Sequence, residues 1–200
     1  MSAPDLGPAV ADLDVMVIAA ERRGSVCRLV LDWPAMFEGA RAGQFVLVKS
    51  LRPGAPLLPR PISLVPAPEG LALVFNIAGE GTRFLASAEP GETIALIGPL
   101  GSAFAPPDEP ILIVTDAPHV GTMLALALER RAAGFADDAF VYVSDPAAPH
   151  PSDAILLADF AALGLAPVAT APGELDATLA RLARGYIAAG AANGVMAAAQ

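Results

Sequence analysis

The sequence predicts a small antiparallel β-barrel followed by a parallel-sheet α/β unit. Three observations predict it. Up to Leu100, short apolar runs are separated by Gly- and Pro-containing turns, as in a small antiparallel barrel. Ala105-Pro106-Pro107-Asp108-Glu109-Pro110 is the clearest linker. Beyond it, apolar strands alternate with helical stretches, which indicates a parallel sheet. The predicted units are therefore 1–105 and 106–200.

In order, residues 1–11 form a loose lead-in. Val15–Ala20 and Ser25–Leu31 are predicted strands around the turn Glu21-Arg22-Arg23-Gly24. Trp33-Pro34 breaks the second. Gln44–Lys49 follows, then Leu51–Pro59, whose prolines make it an extended loop. Ile62–Val65 and Leu71–Ile77 are strands, Thr82–Ala88 a short helix and Thr93–Ile97 the last barrel strand. In the second unit, Ile111–Val114, Phe140–Val143, Pro167–Thr170 and Tyr186–Ala189 are predicted strands. Thr122–Ala133, Ser152–Leu163, Glu174–Arg184 and Ala191–Gln200 are predicted helices, the third amphipathic through Leu175, Leu179 and Leu182.

The 200 residues are 54% hydrophobic and 16% charged, enough to bury a core, although Ala, Pro and Gly inflate the first figure. The net charge of −9 and the lack of a basic stripe argue against nucleic acid and against an anionic membrane surface as partners. Phosphate binding must then be local. One cysteine, Cys27, allows no internal disulfide, and its place in a strand alternation points to packing. The first fourteen residues lack the layout of a signal peptide, and no apolar run reaches transmembrane length. A soluble, cytoplasmic protein is expected.

Three segments between Arg60 and Phe104 carry chemistry. Arg60-Pro61-Ile62-Ser63 places a guanidinium, suited to phosphate oxygens, on extended backbone ahead of a hydroxyl. Gly79-Glu80-Gly81-Thr82 follows the run Leu71–Ala78 and opens a helix, where glycines let backbone N–H groups approach an anion. Gly98-Pro99-Leu100-Gly101-Ser102-Ala103-Phe104 comes last. Together the first two suit a diphosphate-containing cofactor.

The ordered set R-P-[IL]-S, G-x-G-T and G-P-L-G-x-x-F, with Ala42-Gly43-Gln44-Phe45-Val46 before it, resembles the electron-transfer subunit of dihydroorotate dehydrogenase. That family lies in the ferredoxin-reductase-like flavoprotein superfamily, and the likeness covers about half the chain. The resemblance implies an FAD-binding barrel over 1–105 and an NAD-binding-like domain over 106–200. It implies that Arg60, Pro61, Ile62 and Ser63 meet the flavin and its pyrophosphate. Gly79, Gly81 and Thr82 would hold the pyrophosphate, and Val74, Phe75 and Asn76 would line the adenosine side. In such proteins NADH reduces the flavin, and a [2Fe–2S] cluster passes electrons to a partner flavoprotein that oxidises dihydroorotate in pyrimidine biosynthesis.

Two departures bear on activity. The family's glycine-rich turn, roughly G-G-G-x-G-x-x-P, is here Thr115-Asp116-Ala117-Pro118-His119-Val120-Gly121, with an acid, a proline and few glycines. The family's near-terminal C-G-P becomes Ala188-Ala189-Gly190-Ala191. NADH is expected to bind poorly. One cysteine cannot hold a [2Fe–2S] cluster, which needs about four protein ligands, so no cluster is expected in this chain. The two functional readings are an FAD-binding electron-transfer subunit with a catalytic dehydrogenase partner, and a non-catalytic flavin-binding or cofactor-free subunit that stabilises or regulates a partner. His119 is expected to be a solvated or capping residue, His150 a loop residue, Asp137-Asp138 a solvated turn and Glu129-Arg130-Arg131 an exposed helix end, none with a chemical role.

Overall fold

The structure is a computed structural model. It describes residues 11–68, 70–135, 139–182, 187–192 and 195–196; for 139, 182 and the last two segments it describes backbone alone. Residues 1–10 of the expected lead-in and Asp137-Asp138 lie outside the described residues, and Ala11 begins a strand.

Six antiparallel strands close a barrel in the order β1-β2-β5-β4-β3-β6. They are β1 (Ala11–Arg23), β2 (Val26–Leu31), β3 (Phe45–Ser50), β4 (Arg60–Ala67), β5 (Gly70–Asn76) and β6 (Thr93–Leu100). β1 is longer than the predicted Val15–Ala20 because it serves two partners. Its first half pairs with β6, from Ala11↔Gly98 to Met16↔Thr93, and its second half with β2. Alternation explains the filling: Val15, Val17, Leu29, Leu31, Val46, Val48, Leu64, Leu73, Ile94 and Leu96 point inward and are buried. The short helix α1 is Glu80–Ala86, starting two residues before the predicted Thr82, and plugs one end of the barrel with Leu85 and Ala86.

The second half has a five-stranded sheet, β11-β10-β7-β8-β9. β7 (Ile111–Thr115), β8 (Ala139–Val143), β9 (Val168–Thr170) and β10 (Ile187–Ala192) are parallel, and β11 (Val195–Met196) pairs antiparallel with β10. Ile111, Ile113, Phe140 and Tyr142 face α2 (Val120–Ala132) and α3 (Asp153–Ala162). Leu112, Val114 and Val141 face the other side, where Leu175 and Leu179 of α4 (Leu175–Leu182) pack. Helices on both faces explain why β7 is buried along its whole length. The Leu182 side chain lies outside the described residues.

The closing helix expected at Ala191–Gln200 is a correction. Ala191 and Ala192 end β10, and Val195–Met196 returns along it as a strand. Alanine's helix propensity is a weak prior, and pairing with β7 decides the conformation of the preceding segment.

Arg130 is also corrected, from an exposed helix end to a clamp. It is 4% exposed, its guanidinium donates to the carbonyls of Pro107 (2.8 Å) and Glu109 (2.7 Å), and it lies 4.1 Å from the Phe135 ring centroid. Its neighbours are tied as well. Glu129 accepts from Arg41 and from the Ala42 N–H, and Arg131 donates to the Leu163 and Gly164 carbonyls.

Cys27 is fully buried in the barrel, as expected for a packing residue. Burial pushes its thiol from about 9 up to about 11, against a smaller opposing effect of Arg22. The raised value fixes the sign: the neutral thiol is stabilising below pH 9, and that contribution disappears as pH rises through 11. Tyr142, raised first by burial and then by its hydrogen bond to Asp153, adds a loss at the same alkaline end. The stability of the wild type, followed by thermal unfolding, should therefore fall more steeply between about pH 9 and pH 11 than that of Cys27→Ala, the difference amounting to about 2–3 kcal/mol. Parallel pH slopes would remove Cys27 from the account.

Candidate functional site

A cleft of about 470 Å³ opens where the barrel meets the second half. β4 supplies Arg60, Pro61, Ile62 and Ser63, β5 supplies Val74, Phe75 and Asn76, and α1 supplies Thr82. Gly79 and Gly81 are not on its wall. Gly81 sits beneath Arg60: a Cβ there would run into the guanidinium, with Cζ at 2.9 Å. A glycine at this position is what lets the charged group lie across the start of α1.

Local structure holds these pieces in place. Arg60 starts β4, opposite Val48, at the end of the extended loop. That loop is anchored by Arg52, which donates to both oxygens of Glu92 at 2.6 Å and to Ser87 at 2.7 Å. The same guanidinium holds the Glu92 carboxyl below the usual carboxylate range. The Thr82 hydroxyl accepts from the Ala78 and Gly79 N–H groups, both at 3.0 Å, and donates to the Gly79 carbonyl at 2.9 Å. It therefore shapes the turn. The first intrahelical bond is Arg83 N–H to Gly79 O, so the N–H groups of Glu80, Gly81 and Thr82 precede the ladder, and Gly81 lies against Arg60. A guanidinium together with first-turn N–H groups can receive a phosphate.

The opposite wall was not anticipated. It consists of Pro118, His119, Val120, Gly121 and Thr122, with His150, and Gly43, Phe45 and Ala78 complete the lining. Gly121 packs so tightly that a Cβ would meet the Val74 carbonyl oxygen at 2.7 Å. The Ser63 and Thr122 hydroxyls are 2.5 Å apart. Asn76 donates to the Ala117 carbonyl and accepts from Ser152 at 2.5 Å, and Ser152 also meets Ser25 at 2.6 Å. Two expected site residues, Ser63 and Asn76, are thus bonded across the cleft mouth. The sequence signal for this wall was the altered turn itself, whose place after the first α/β strand puts it against the barrel.

Asp116 has a close partner within the turn. It is buried, and its Oδ1 accepts from the His119 N–H (3.1 Å) and lies 2.5 Å from His119 Nδ1. His119 occupies the N-cap position of α2 without a side-chain cap bond of its own. His150 Nδ1 accepts from the Ser152 N–H at 3.2 Å.

A second cleft, of about 460 Å³, lies at the carboxyl ends of β7, β8 and β9, where ligands of open parallel sheets usually sit. Its lining includes Asp116, Asp145 and Asp153 along with Pro118, Ser144 and His150. Asp153 accepts from the Tyr142 hydroxyl, the Ser144 hydroxyl and the His150 N–H. Three carboxylates and a proline without an N–H thus line this cleft. The segment Ala188–Ala191 lies on β10, with its side chains outside the described residues.

A closed antiparallel barrel joined to a parallel sheet, with a cleft between them, is the ferredoxin-reductase-like fold. Solved structures share it over most of the chain. The ferredoxin reductase of carbazole 1,9a-dioxygenase has a TM-score of 0.68 and 18% identity, covering 92% of this chain and 62% of that one. An NADH-dependent reduced ferredoxin-NADP oxidoreductase has a TM-score of 0.64 and 19% identity, covering 88% and 67%. Amycolatopsis cytochrome P450 reductase GcoB has a TM-score of 0.62 and 20% identity, covering 90% and 61%.

Curated relatives narrow the likeness to the group that the motifs resemble. The electron transfer subunit of dihydroorotate dehydrogenase B (NAD(+)) from Desulforamulus reducens is 43% identical over 79 residues, 38% of this chain and 30% of that protein. Its counterpart from Geobacillus kaustophilus is 34% identical over 121 residues, 56% of this chain and 47% of that protein. The matched parts span about half or less of those relatives. No family model matches the chain.

Proposed function

We propose that this chain is an FAD-binding electron-transfer subunit resembling that of dihydroorotate dehydrogenase, acting in the cytoplasm with a partner flavoprotein such as the dehydrogenase's catalytic subunit. Residues 1–105 form its FAD-binding domain and 106–200 its NAD-binding-like domain. The observation that carries the reading is the convergence of Arg60, Ser63, Val74, Phe75, Asn76 and Thr82 on one cleft, with Arg60 lying over Gly81. Arg60 and the first-turn N–H groups of α1 would receive the pyrophosphate. Pro61, Ile62 and Ser63 would border the flavin, and Val74 to Asn76 the adenosine side. A bound flavin would supply the ability to take electrons in pairs and release them singly. The chain's own part is to bind it, orient it and limit water around it.

In this reading NADH is a poor donor, because the turn Thr115–Gly121 presents Asp116 and Pro118 where backbone donors are needed. These 200 residues carry no [2Fe–2S] cluster of their own, since Cys27 is a single thiol enclosed in the barrel. Among the described residues no helix is long and apolar enough to cross a membrane.

One observation favours the second reading, a non-catalytic or cofactor-free subunit that stabilises or regulates a partner. Ser63 and Asn76 already have partners across the cleft, and a flavin would have to compete with them. Titration with FAD, followed by visible absorbance, separates the first reading from the cofactor-free form of the second. Saturable binding with flavin bands excludes the cofactor-free form, and no binding overturns the first reading. Anaerobic mixing of the flavin-loaded protein with excess NADH should then leave the flavin oxidised; rapid bleaching would overturn the expectation for NADH.

A further inference from the structure

Resting on the flavin reading of the cleft, we propose that α2 is latched across it, and that the Ser63–Thr122 contact must open for the flavin ring to enter. The two hydroxyls come from opposite walls, Ser63 from β4 and Thr122 from the first turn of α2, and they are 2.5 Å apart. A planar ring makes carbon contacts at about 3.5 Å on each of its faces, so walls that hold one stand about 7 Å apart. No ring fits between these two hydroxyls as they stand. The cleft is open beside the pair and shut at it.

Further contacts close the same side. Asn76 of β5 donates to the Ala117 carbonyl, just ahead of α2, and its side-chain oxygen accepts from Ser152 at 2.5 Å. Ser152 is buried and meets Ser25 of the barrel half at 2.6 Å. The far end of α2 is held separately, by Glu129 on Arg41 and on the Ala42 N–H. The first turn of the helix is therefore the part that yields. Opening it releases Ser63 and Asn76, the two residues expected on the flavin side, so the bonds they give up across the cleft are replaced by bonds to the cofactor. Thr122 turns to water instead. This exchange keeps the polar cost of opening small, which makes the contact a gate rather than a block. Its members are neutral, so pH does not set it.

Cross-linking tests the gate. Ser63→Cys combined with Thr122→Cys places two thiols where the hydroxyls meet, while Cys27 is fully enclosed in the barrel and stays out of the reaction. The reduced double variant should bind FAD, and its cross-linked form should bind about tenfold more weakly or worse and recover on reduction. Equal affinity of the two forms overturns the proposal and leaves the flavin reading intact. Thr122→Val keeps the shape of the side chain and removes the hydroxyl. It should take up FAD faster and bind it about 2- to 12-fold more tightly, the worth of one neutral hydrogen bond. Unchanged or weaker binding in Thr122→Val also overturns the proposal, because a hydroxyl that served only as packing or as a flavin contact would give that result. Thr178→Val is the control. It removes a hydroxyl contact of the same kind, 2.9 Å to Thr170 on the α4 side of the sheet, and should keep wild-type FAD binding. Circular dichroism confirms that every variant is folded. Absence of FAD binding in the wild type and all variants overturns both the gate and the flavin reading.

Discussion

Arg60→Ala should weaken FAD binding by about 1.5–3 kcal/mol, the value of a charge-assisted hydrogen bond, or about 10- to 150-fold. The loss should come with little change in fold. Arg60 is half-buried at a strand start, and a change there away from the core should move the melting temperature by about 1–2 °C. A second route reaches the same side chain. Gly81→Ala adds a Cβ that collides with the guanidinium, which can swing away at the expense of its position over α1. Gly81→Ala should therefore weaken FAD in the same direction, and the double variant should lose little more than Arg60→Ala alone. Unchanged affinity in Arg60→Ala would sink the assignment of the cleft as the flavin site.

Gly121→Ala should be strongly destabilising for so small a substitution. Its Cβ meets a backbone carbonyl, Val74 O at 2.7 Å, and no rotamer change relieves that contact. α2 must move away from β5, at a cost of about 1–3 kcal/mol for an overpacked site. In a chain of this length that lowers the melting temperature by about 2–10 °C. The same displacement stretches the Ser63–Thr122 contact, so FAD affinity should change too. Gly39→Ala is the control, because its Cβ would meet nothing within 4 Å. An unaltered melting temperature in Gly121→Ala would mean that the halves are not packed through this glycine.

The barrel was largely legible because most of its strands follow an inside–outside alternation and are bounded by Gly and Pro. The cofactor-facing segments were legible because a guanidinium, a hydroxyl and two glycines occur at informative spacings. What escaped depends on long-range partners. Nothing in the local run Ala191–Gln200 says that β10 will pair with β7, and alanine content alone suggested a helix. Glu129, Arg130 and Arg131 looked like an exposed helix end, because charges usually seek water. Their partners, at Arg41 and Ala42, at Pro107 and Glu109, and at Leu163 and Gly164, lie 21 to 88 residues away. His119 and His150 are isolated in sequence, and only the turn geometry brings both to one cavity.

One buried apolar cluster ignores the linker. Val26, Ala42 and Val65 of the barrel half belong to the same cluster as Ile111, Val120, Leu124, Tyr142 and Phe160 of the other half, with Val74 and Phe104 against it. Separating the halves would expose that surface to water, and Arg130 fastens the connecting segment from the other side. The Pro-rich stretch is thus a seam rather than a hinge. Mechanically the chain is a single body, and whatever wedges the cleft apart must work against the packing of α2 on β4, β5 and β7 together.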